Sequence, residues 1–208
     1  MTYACTLGLR RHVFGDLKTL LAKASPARSG DMLAGVAAAS EEERMAARIV
    51  LADLPLGRFL QEAVVPYEDD EVTRIILDDL NRPVYESLQN LTIGELREKL
   101  LAADGAELMR MGRGLSSEVI AAVTKLMSNL DLIYAASKIH VEATCITTIG
   151  RAGTFSARLQ PNHPSDQVEG ITASTLEGLS YGVGDAVVGL NPVDASTESV
   201  YAILNRFR

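Results

Sequence analysis

Polar side chains follow two predicted strands in the last third of the chain. Arg158 and Gln160 come after a predicted strand at residues 144–149, and Asn191 directly follows a second at residues 185–190. Arginine only donates hydrogen bonds, whereas the two amides both donate and accept, so the set could bind a small polar ligand. Barrels and open sheets built from parallel strands hold ligands at the carboxyl ends of those strands. The spacing therefore predicts part of a ligand site.

Each of these signals is weak when taken alone. An arginine in a loop is more often a solvated or ion-paired surface residue. A pair such as Asn191-Pro192 is usually only a turn. The segment 67–70 is better explained as the solvated start of a helix than as a pair of catalytic carboxylates. Gly182-x-Gly184 follows a helix and precedes a strand, which is the reverse of a dinucleotide-binding loop.

The elements that must position these residues form one predicted βαβ unit. A helix begins at Ser165 and Asp166, and Gly182 suits its left-handed carboxyl-terminal cap. The second strand is apolar on both faces, as in parallel strands covered by helices. Two parallel strands have open edges and little core, and a complete (β/α)8 barrel takes about 250 residues. We therefore expect either that a partner chain completes the sheet or that this chain is the amino-terminal piece of a longer protein.

A change of hydrophobic period near Ala143 predicts a domain boundary at about residue 140. Residues 1–140 are predicted to be mostly helical after an extended entry at 1–15, and residues 141–208 to begin an α/β barrel catalytic domain. Capping residues mark several helix starts in the first region. The predicted caps are Ser40 with Glu43, Thr92 with Glu95, and Ser116 at the start of one long helix that runs to Tyr134.

Composition argues against several classes of function. The chain has 208 residues with 20 basic and 27 acidic side chains, and its net charge of −7 disfavours nucleic-acid and anionic-membrane surfaces. Its 3 histidines and 2 cysteines show neither metal-ligand spacing nor a disulfide framework. No apolar run reaches the roughly 18–20 residues of a membrane span. We expect a cytoplasmic protein without a metal site and without a nucleic-acid or membrane partner.

Long blocks of sequence are more specific than any of these single motifs. In chain order they are RSGDMLAGVAAAS at 28–40, YEDDEVTR at 67–74, DLIY at 131–134, GTFSARLQPN at 153–162 and EGLSYGVGDAVVGLNP at 177–192. Together, and in this order, they resemble the large subunit of ethanolamine ammonia-lyase. The resemblance extends over nearly the whole chain but reaches only the first part of that subunit, a little under half.

The resemblance implies an adenosylcobalamin-dependent lyase that converts ethanolamine to acetaldehyde and ammonia by a radical mechanism. It implies a helical amino-terminal region followed by the first two βα units of an incomplete TIM-type (β/α)8 barrel. It also implies a lyase small subunit and other large subunits as partners in an oligomer. Location inside a bacterial microcompartment is left open.

The resemblance also implies roles for the matching positions. Ethanolamine carries an ammonium and a hydroxyl, so Arg158 is expected to bind the hydroxyl oxygen as a catalytic and substrate-binding residue. Gln160 can accept a hydrogen bond from the ammonium, and Asn191 can bind either group. Pro192 matches the family's contact with cobalamin. Carboxylates for the cationic substrate are expected on later barrel strands, outside this chain.

Two functions fit the sequence. In the first, the chain carries part of the substrate site of the lyase and is inactive alone. In the alternative, it is a non-catalytic helical assembly module that binds other subunits. The chain has no Asp-x-His-x-x-Gly motif. Under the first interpretation, this absence fits a cobalamin whose own base stays on cobalt.

Overall fold

A computed structural model describes residues 2–208 as a mixed, mostly helical α/β structure with two small sheets. The chain divides into two compact units, an amino-terminal unit, Met1–Ile139, and a carboxyl-terminal unit, His140–Arg208. The predicted mixture of helices and strands is confirmed. The TIM-type barrel and the assignment of residues 141–208 to a catalytic domain stay predictions.

The amino-terminal unit begins with a hairpin instead of a single extended entry. Strands β1 (Tyr3–Leu7) and β2 (Arg10–Phe14) pair antiparallel, with Tyr3 opposite Phe14. The chain reverses at Gly8, whose φ of 60° is easily reached only without a side chain. Tyr3 and Phe14 are both buried, so one face of the hairpin joins the core.

Helices make up the rest of this unit. They are α1 Leu17–Ala24, α2 Ser29–Leu33, α3 Glu41–Ala52, α4 Arg58–Gln61, α5 Glu71–Asp78, α6 Arg82–Leu88, α7 Ile93–Ala102, α8 Gly105–Gly112, α9 Ser117–Lys125 and α10 Asn129–Ser137.

The predicted capping residues start the helices assigned to them. The Ser40 hydroxyl accepts the N–H of Glu43 at the start of α3, although the Glu43 carboxylate binds the N–H of Ala39 and not that of Ser40. Thr92 and Glu95 form the predicted reciprocal capping box at α7. These caps need only residues three or four positions apart, so the sequence predicts them well.

The prediction of one long helix from Ser116 to Tyr134 is wrong. Ser116 does cap α9, but that helix ends at Lys125 and a new one, α10, begins after Ser128. Ser128 and Asp131 form a second reciprocal capping box, which satisfies the first N–H groups of α10 and favours a fresh start there. Apolar periodicity continues across the break and hides it.

The core of the amino-terminal unit is a single apolar cluster. Leu20, Leu51 and Leu96 are 0% exposed, and α1, α3, α7, α9 and the hairpin all contribute to the cluster. Two alanines of α3, Ala46 and Ala47, are also fully buried. Their small side chains let neighbouring elements approach α3 closely.

The carboxyl-terminal unit contains the short strands β3 (Ala143–Thr144) and β4 (Thr148–Ile149) and the helices α11 (Val168–Ser180) and α12 (Thr197–Asn205). The prediction of one strand at 144–149 is wrong, because β3 and β4 pair antiparallel as a tight hairpin. The turn is held by Asp185, whose carboxylate accepts the Thr147 N–H at 2.7 Å and the Thr147 hydroxyl at 2.6 Å.

The parallel partner of the second predicted strand lies further along the chain, at Leu159. Leu159 pairs parallel with Val188, and α11 connects the two segments. The prediction of a strand at 185–190 is wrong, because only Val188 pairs there, through a single bridge to Leu159. The predicted order survives as two extended segments joined by a helix, with the first segment shifted from 144–149 to Leu159. Gly182 has φ 76° just after α11, as the predicted left-handed cap requires.

Candidate functional site

Arg158 and Gln160 flank the parallel pairing on one extended segment. We call residues 158–162 the site segment. Leu159 donates its N–H to the Val187 carbonyl at 3.2 Å and accepts the Gly189 N–H at 2.8 Å. Side chains alternate along an extended chain, so Arg158 and Gln160 share the face opposite Leu159.

Leu159 fixes which face that is. Its side chain covers Gly178 of α11 and Gly184, where an added Cβ would lie 2.5 and 2.6 Å from Leu159 atoms. The leucine therefore packs toward the helix, and Pro161, two residues on, is fully buried. This packing holds the segment so that Arg158 and Gln160 face away from the helix.

The Arg158 and Gln160 side chains contact each other. The guanidinium Nη2 of Arg158 donates to Oε1 of Gln160 at 2.9 Å. The arginine also crosses the face of Gly189, where an added Cβ would lie 3.1 Å from its Nε. Gly189 thus leaves room for the arginine, while the other guanidinium donors and the second lone pair of Gln160 can serve a ligand.

Asn191 lies on the neighbouring segment, two residues after Gly189. Its backbone N–H donates to Oδ1 of Asn162 at 3.0 Å, which joins the loop after Leu190 to the site segment. In the described part of the chain, residues 2–208, the exposed Asn191 side chain makes no hydrogen bond to Arg158 or to Gln160. The structure therefore brings Arg158 and Gln160 into contact and holds Asn191 on the adjoining segment.

Pro192 is partly buried beside Asn191. With Asn162 and Asp166 it lines a narrow cleft that is too tight to admit a water molecule. We call residues 191–194 the site loop. The next side chain, Val193, is 68% exposed, so the loop presents apolar surface outward.

Asp166 is a site-loop contact that the sequence prediction missed. The sequence predicts that Asp166 starts the crossover helix, but α11 begins at Val168 and its N-cap, Gln167, makes no side-chain capping bond. The Asp166 carboxylate instead accepts the backbone N–H groups of Val193 at 2.9 Å and Asp194 at 2.7 Å. A Ser-Asp pair before a helix resembles a cap, and no local signal distinguishes the two roles.

Hydrogen bonding lowers the pKa of two carboxyls in this unit. The pKa of Asp166 lies below its ordinary value chiefly because the N–H groups of Asp194 and Val193 stabilise the carboxylate. The pKa of Asp185 is lowered in the same way, first by the Thr147 hydroxyl and then by the Thr147 N–H. Both groups are therefore anionic near neutral pH.

The part of the chain that the structure describes contains no cluster of at least three histidine, cysteine, aspartate or glutamate side chains that could hold a metal ion. Over the same residues, no helix combines the length and apolar character needed to cross a membrane.

Comparison with known proteins identifies the family. The family model for the ethanolamine ammonia lyase large subunit matches residues 12–208. The chain belongs to the ethanolamine ammonia-lyase large-subunit family. Both the site segment and the site loop lie inside the matched range.

Two relatives in this family show how far the similarity extends. The ethanolamine ammonia-lyase large subunit of Escherichia coli (strain K12) is 50% identical over 194 residues, which is 92% of this chain and 43% of the relative. That of Salmonella typhimurium (strain LT2) is 47% identical over 203 residues, which is 93% of this chain and 45% of the relative. The chain thus spans less than half the length of these ethanolamine ammonia-lyase subunits.

Proposed function

We propose that this chain forms part of an adenosylcobalamin-dependent lyase that converts ethanolamine to acetaldehyde and ammonia. In this proposal it carries part of the substrate site, at Arg158, Gln160 and Asn191, and it acts in assembly with a small subunit and other large subunits. Membership of the large-subunit family supports the proposal. A cytoplasmic location stays a prediction, and location inside a microcompartment stays open.

The observation that carries the proposal is the Arg158–Gln160 pair above Gly189. Ethanolamine needs a donor for its hydroxyl oxygen and an acceptor for its ammonium. Arg158 supplies only donors, and Gln160 supplies an acceptor 2.9 Å from the arginine. The two groups are thus spaced for neighbouring substituents of one small molecule.

The positions of these groups suggest what they do during the reaction. Arg158 would hold the hydroxyl oxygen while the amino group moves. The Gln160 carbonyl would accept a hydrogen bond from the nitrogen during that movement. Because their mutual hydrogen bond orients both side chains before substrate binds, little reorganisation is required at the moment of reaction. Asn191 would bind either end of the substrate from the site loop.

The residues at Pro192 fit a cobalamin contact. The proline ring and the exposed Val193 side chain offer apolar surface to a corrin ring. When bound, adenosylcobalamin supplies the radical chemistry, whereas the protein binds, orients and shields the substrate.

The alternative function, a helical assembly module, is supported by a different observation. On α10, Leu130, Ile133 and Tyr134 are 74%, 66% and 53% exposed, which is apolar surface suited to contact with another chain. This surface is compatible with assembly inside the lyase as well. A separate, non-catalytic role would leave the Arg158–Gln160 pair without a purpose, so we favour the catalytic function.

Substitution of Arg158 in the assembled enzyme tests the proposal. Arg158→Ala should lower kcat/KM for ethanolamine because a charged hydrogen bond in the site is lost. The decrease should correspond to about 2–4 kcal/mol of lost transition-state stabilisation. Arg158→Lys keeps the charge without the planar fork and should recover only part of that loss.

A matched control is Arg151→Ala, which removes an exposed arginine from the same unit. Its kcat/KM should stay close to that of the unchanged enzyme. Near-normal ethanolamine turnover by Arg158→Ala would rule out the proposed role. Separately, the 208-residue chain alone should release no ammonia from ethanolamine with adenosylcobalamin, and cofactor-dependent release by it would contradict the proposal of a partial site.

A further inference from the structure

Asp166 has an unusual backbone conformation for a residue with a side chain. Its φ of 53° makes it the one residue other than glycine with positive φ among residues 2–208. Aspartate tolerates this left-handed region better than most residues, but it remains disfavoured relative to ordinary helix or strand geometry. Such a conformation persists where surrounding contacts hold it, and here those contacts are made by the carboxylate.

The carboxylate binds the site loop immediately after Pro192. Val193 donates its N–H to both carboxylate oxygens at 2.9 Å, and Asp194 donates to Oδ2 at 2.7 Å. The Ser199 hydroxyl is a more distant donor at 3.4 Å. Because proline has no N–H, these are the first donors available after Pro192.

The site loop is tied at its other end as well. Asn162 accepts the N–H of Asn191 at 3.0 Å, so Asn191 and Pro192 lie between two anchors. Both anchors come from the stretch that directly follows Gln160. The loop with Asn191 and Pro192 is therefore fastened to the segment with Arg158 and Gln160 by two polar side chains.

Asp166 is not needed to cap either neighbouring helix. Gln167 holds the N-cap position of α11. Ser196 caps α12 through the N–H of Ser199, and the Asp194 side chain in turn supports Ser196. Loss of the Asp166 carboxylate would leave the Ser196 cap intact, so its main effect should fall on the site loop.

We infer that Asp166 is a positioning residue that fixes Asn191 and Pro192 relative to Arg158 and Gln160 through the backbone N–H groups of the site loop. The inference rests on the proposed function, because it assigns Asn191 to the substrate and Pro192 to the cofactor. It adds a residue that touches neither ligand and acts through the loop that does.

The test uses the assembled holoenzyme that contains this chain and compares Asp166→Gly with Asp166→Asn. Glycine adopts φ 53° freely, so Asp166→Gly removes the carboxylate without adding backbone strain. We expect KM for ethanolamine and the dissociation constant of adenosylcobalamin, measured by equilibrium dialysis without substrate, each to rise about tenfold. Asp166→Asn keeps one acceptor and a tolerance for this conformation, so it should show a smaller rise, about threefold.

A double-mutant cycle separates positioning from general weakening of the fold. If Asp166 acts through Asn191, Asp166→Gly should add nothing to the KM of Asn191→Ala, while it should still weaken cofactor binding through Pro192. A control is Glu169→Gln, an exposed carboxylate in the first turn of α11, which should leave both constants unchanged.

The outcomes distinguish this inference from the proposed function. Additive effects of Asp166→Gly and Asn191→Ala on KM, or normal constants for both Asp166 variants beside an impaired Asn191→Ala, would overturn the inference alone. Normal ethanolamine kinetics for both Asn191→Ala and Arg158→Ala would overturn the proposed function itself. If Asp166→Gly fails to fold, the Asp166→Asn values decide by the same criteria.

Discussion

Each of the two units of the chain is stabilised internally by a different kind of interaction. The amino-terminal unit encloses one apolar cluster in which Leu20, Leu51 and Leu96 are fully buried. In the carboxyl-terminal unit, hydrogen bonds to two aspartate side chains add to the packing of Leu159. Asp185 holds the Thr147 turn, and Asp166 holds the site loop.

The difference has a physical consequence for where a site can be built. An apolar core resists unfolding but offers few groups for chemistry. Side-chain hydrogen bonds such as those of Asp166 and Asp185 hold exposed segments in place and leave neighbouring donors accessible. Arg158 and Gln160 are both exposed, and their positions depend on Leu159 and Gly189 beneath them. The comparison predicts large stability effects where apolar side chains pack, in the core of the first unit and around Leu159 in the second, and smaller, local effects at the side-chain hydrogen bonds.

The largest effect is expected from Leu51→Ala in α3. This side chain is 0% exposed, so its truncation should lower the free energy of unfolding of the amino-terminal unit by about 2–5 kcal/mol. Leu9→Ala is the control, because that leucine is fully exposed and should change stability by less than about 0.5 kcal/mol. Hydrogen exchange resolved by unit provides the measurement. Equal effects of the two substitutions would contradict an apolar core at α3.

A second large effect should appear in the carboxyl-terminal unit with Gly184→Ala. Gly184 has φ 92°, and an added Cβ would lie 2.6 Å from Leu159 Cβ. Backbone strain and overpacking together should cost about 2–4 kcal/mol. Gly182→Ala is the matched control, because φ is 76° there but nothing lies within 4 Å of the new atom. A cost for Gly184→Ala no larger than for Gly182→Ala would show that Leu159 does not pack there.

A smaller effect is expected at the helix caps. Thr92→Ala removes the side chain that caps α7 and should lower stability of the amino-terminal unit by about 1 kcal/mol. In α11, whose N-cap Gln167 makes no side-chain bond, Gln167→Ser should instead stabilise the second unit by about 0.5–1 kcal/mol. Urea unfolding followed by hydrogen exchange would measure both. Destabilisation by Gln167→Ser would contradict the assigned helix start.

The smallest effect concerns acid titration of the β3–β4 turn. The pKa of Asp185 is lower in the folded protein than its ordinary value because Thr147 donates to the carboxylate. The resulting stabilisation is complete above the unfolded-state pKa of about 3.9 and is lost as pH falls through the lower folded-state pKa. The amide NMR signal of Thr147 should therefore shift in that acidic range.

Asp185→Asn should abolish this transition, and Thr147→Val should weaken it because only the backbone donor remains. A transition that persists unchanged in Asp185→Asn would assign the titration to another group. This measurement tests whether the side-chain hydrogen bonds of the second unit respond to pH while the apolar core of the first unit does not.

Sequence predicted the features that depend on near neighbours. The caps at Ser40 and Thr92 are read from residues three positions apart, and both helices begin as predicted. The start of α10 was missed because continuous apolar spacing concealed the Ser128 box. Side-chain capping fixes where a helix begins, but apolar periodicity alone does not show that a cap interrupts a continuous apolar pattern.

The features that sequence missed depend on distant partners. The segment 144–149 has strand-forming residues, yet Asp185, 38 positions from Thr147, holds it as a turn. Asp166 resembles a helix cap and instead binds Val193, 27 positions away. The Arg158–Gln160 contact was within reach because the two residues are neighbours, whereas the anchoring of Asn191 to Asn162 required the fold.

The alternation around Leu159 restricts how this region can evolve. A substitution at Arg158 or Gln160 changes one group on the exposed side, and the leucine stays inserted over Gly178 and Gly184. Deletion or insertion of a single codon here would turn the leucine outward and direct a charged or amide side chain into the space against α11. Drift in this segment should therefore proceed through residue replacement at constant length.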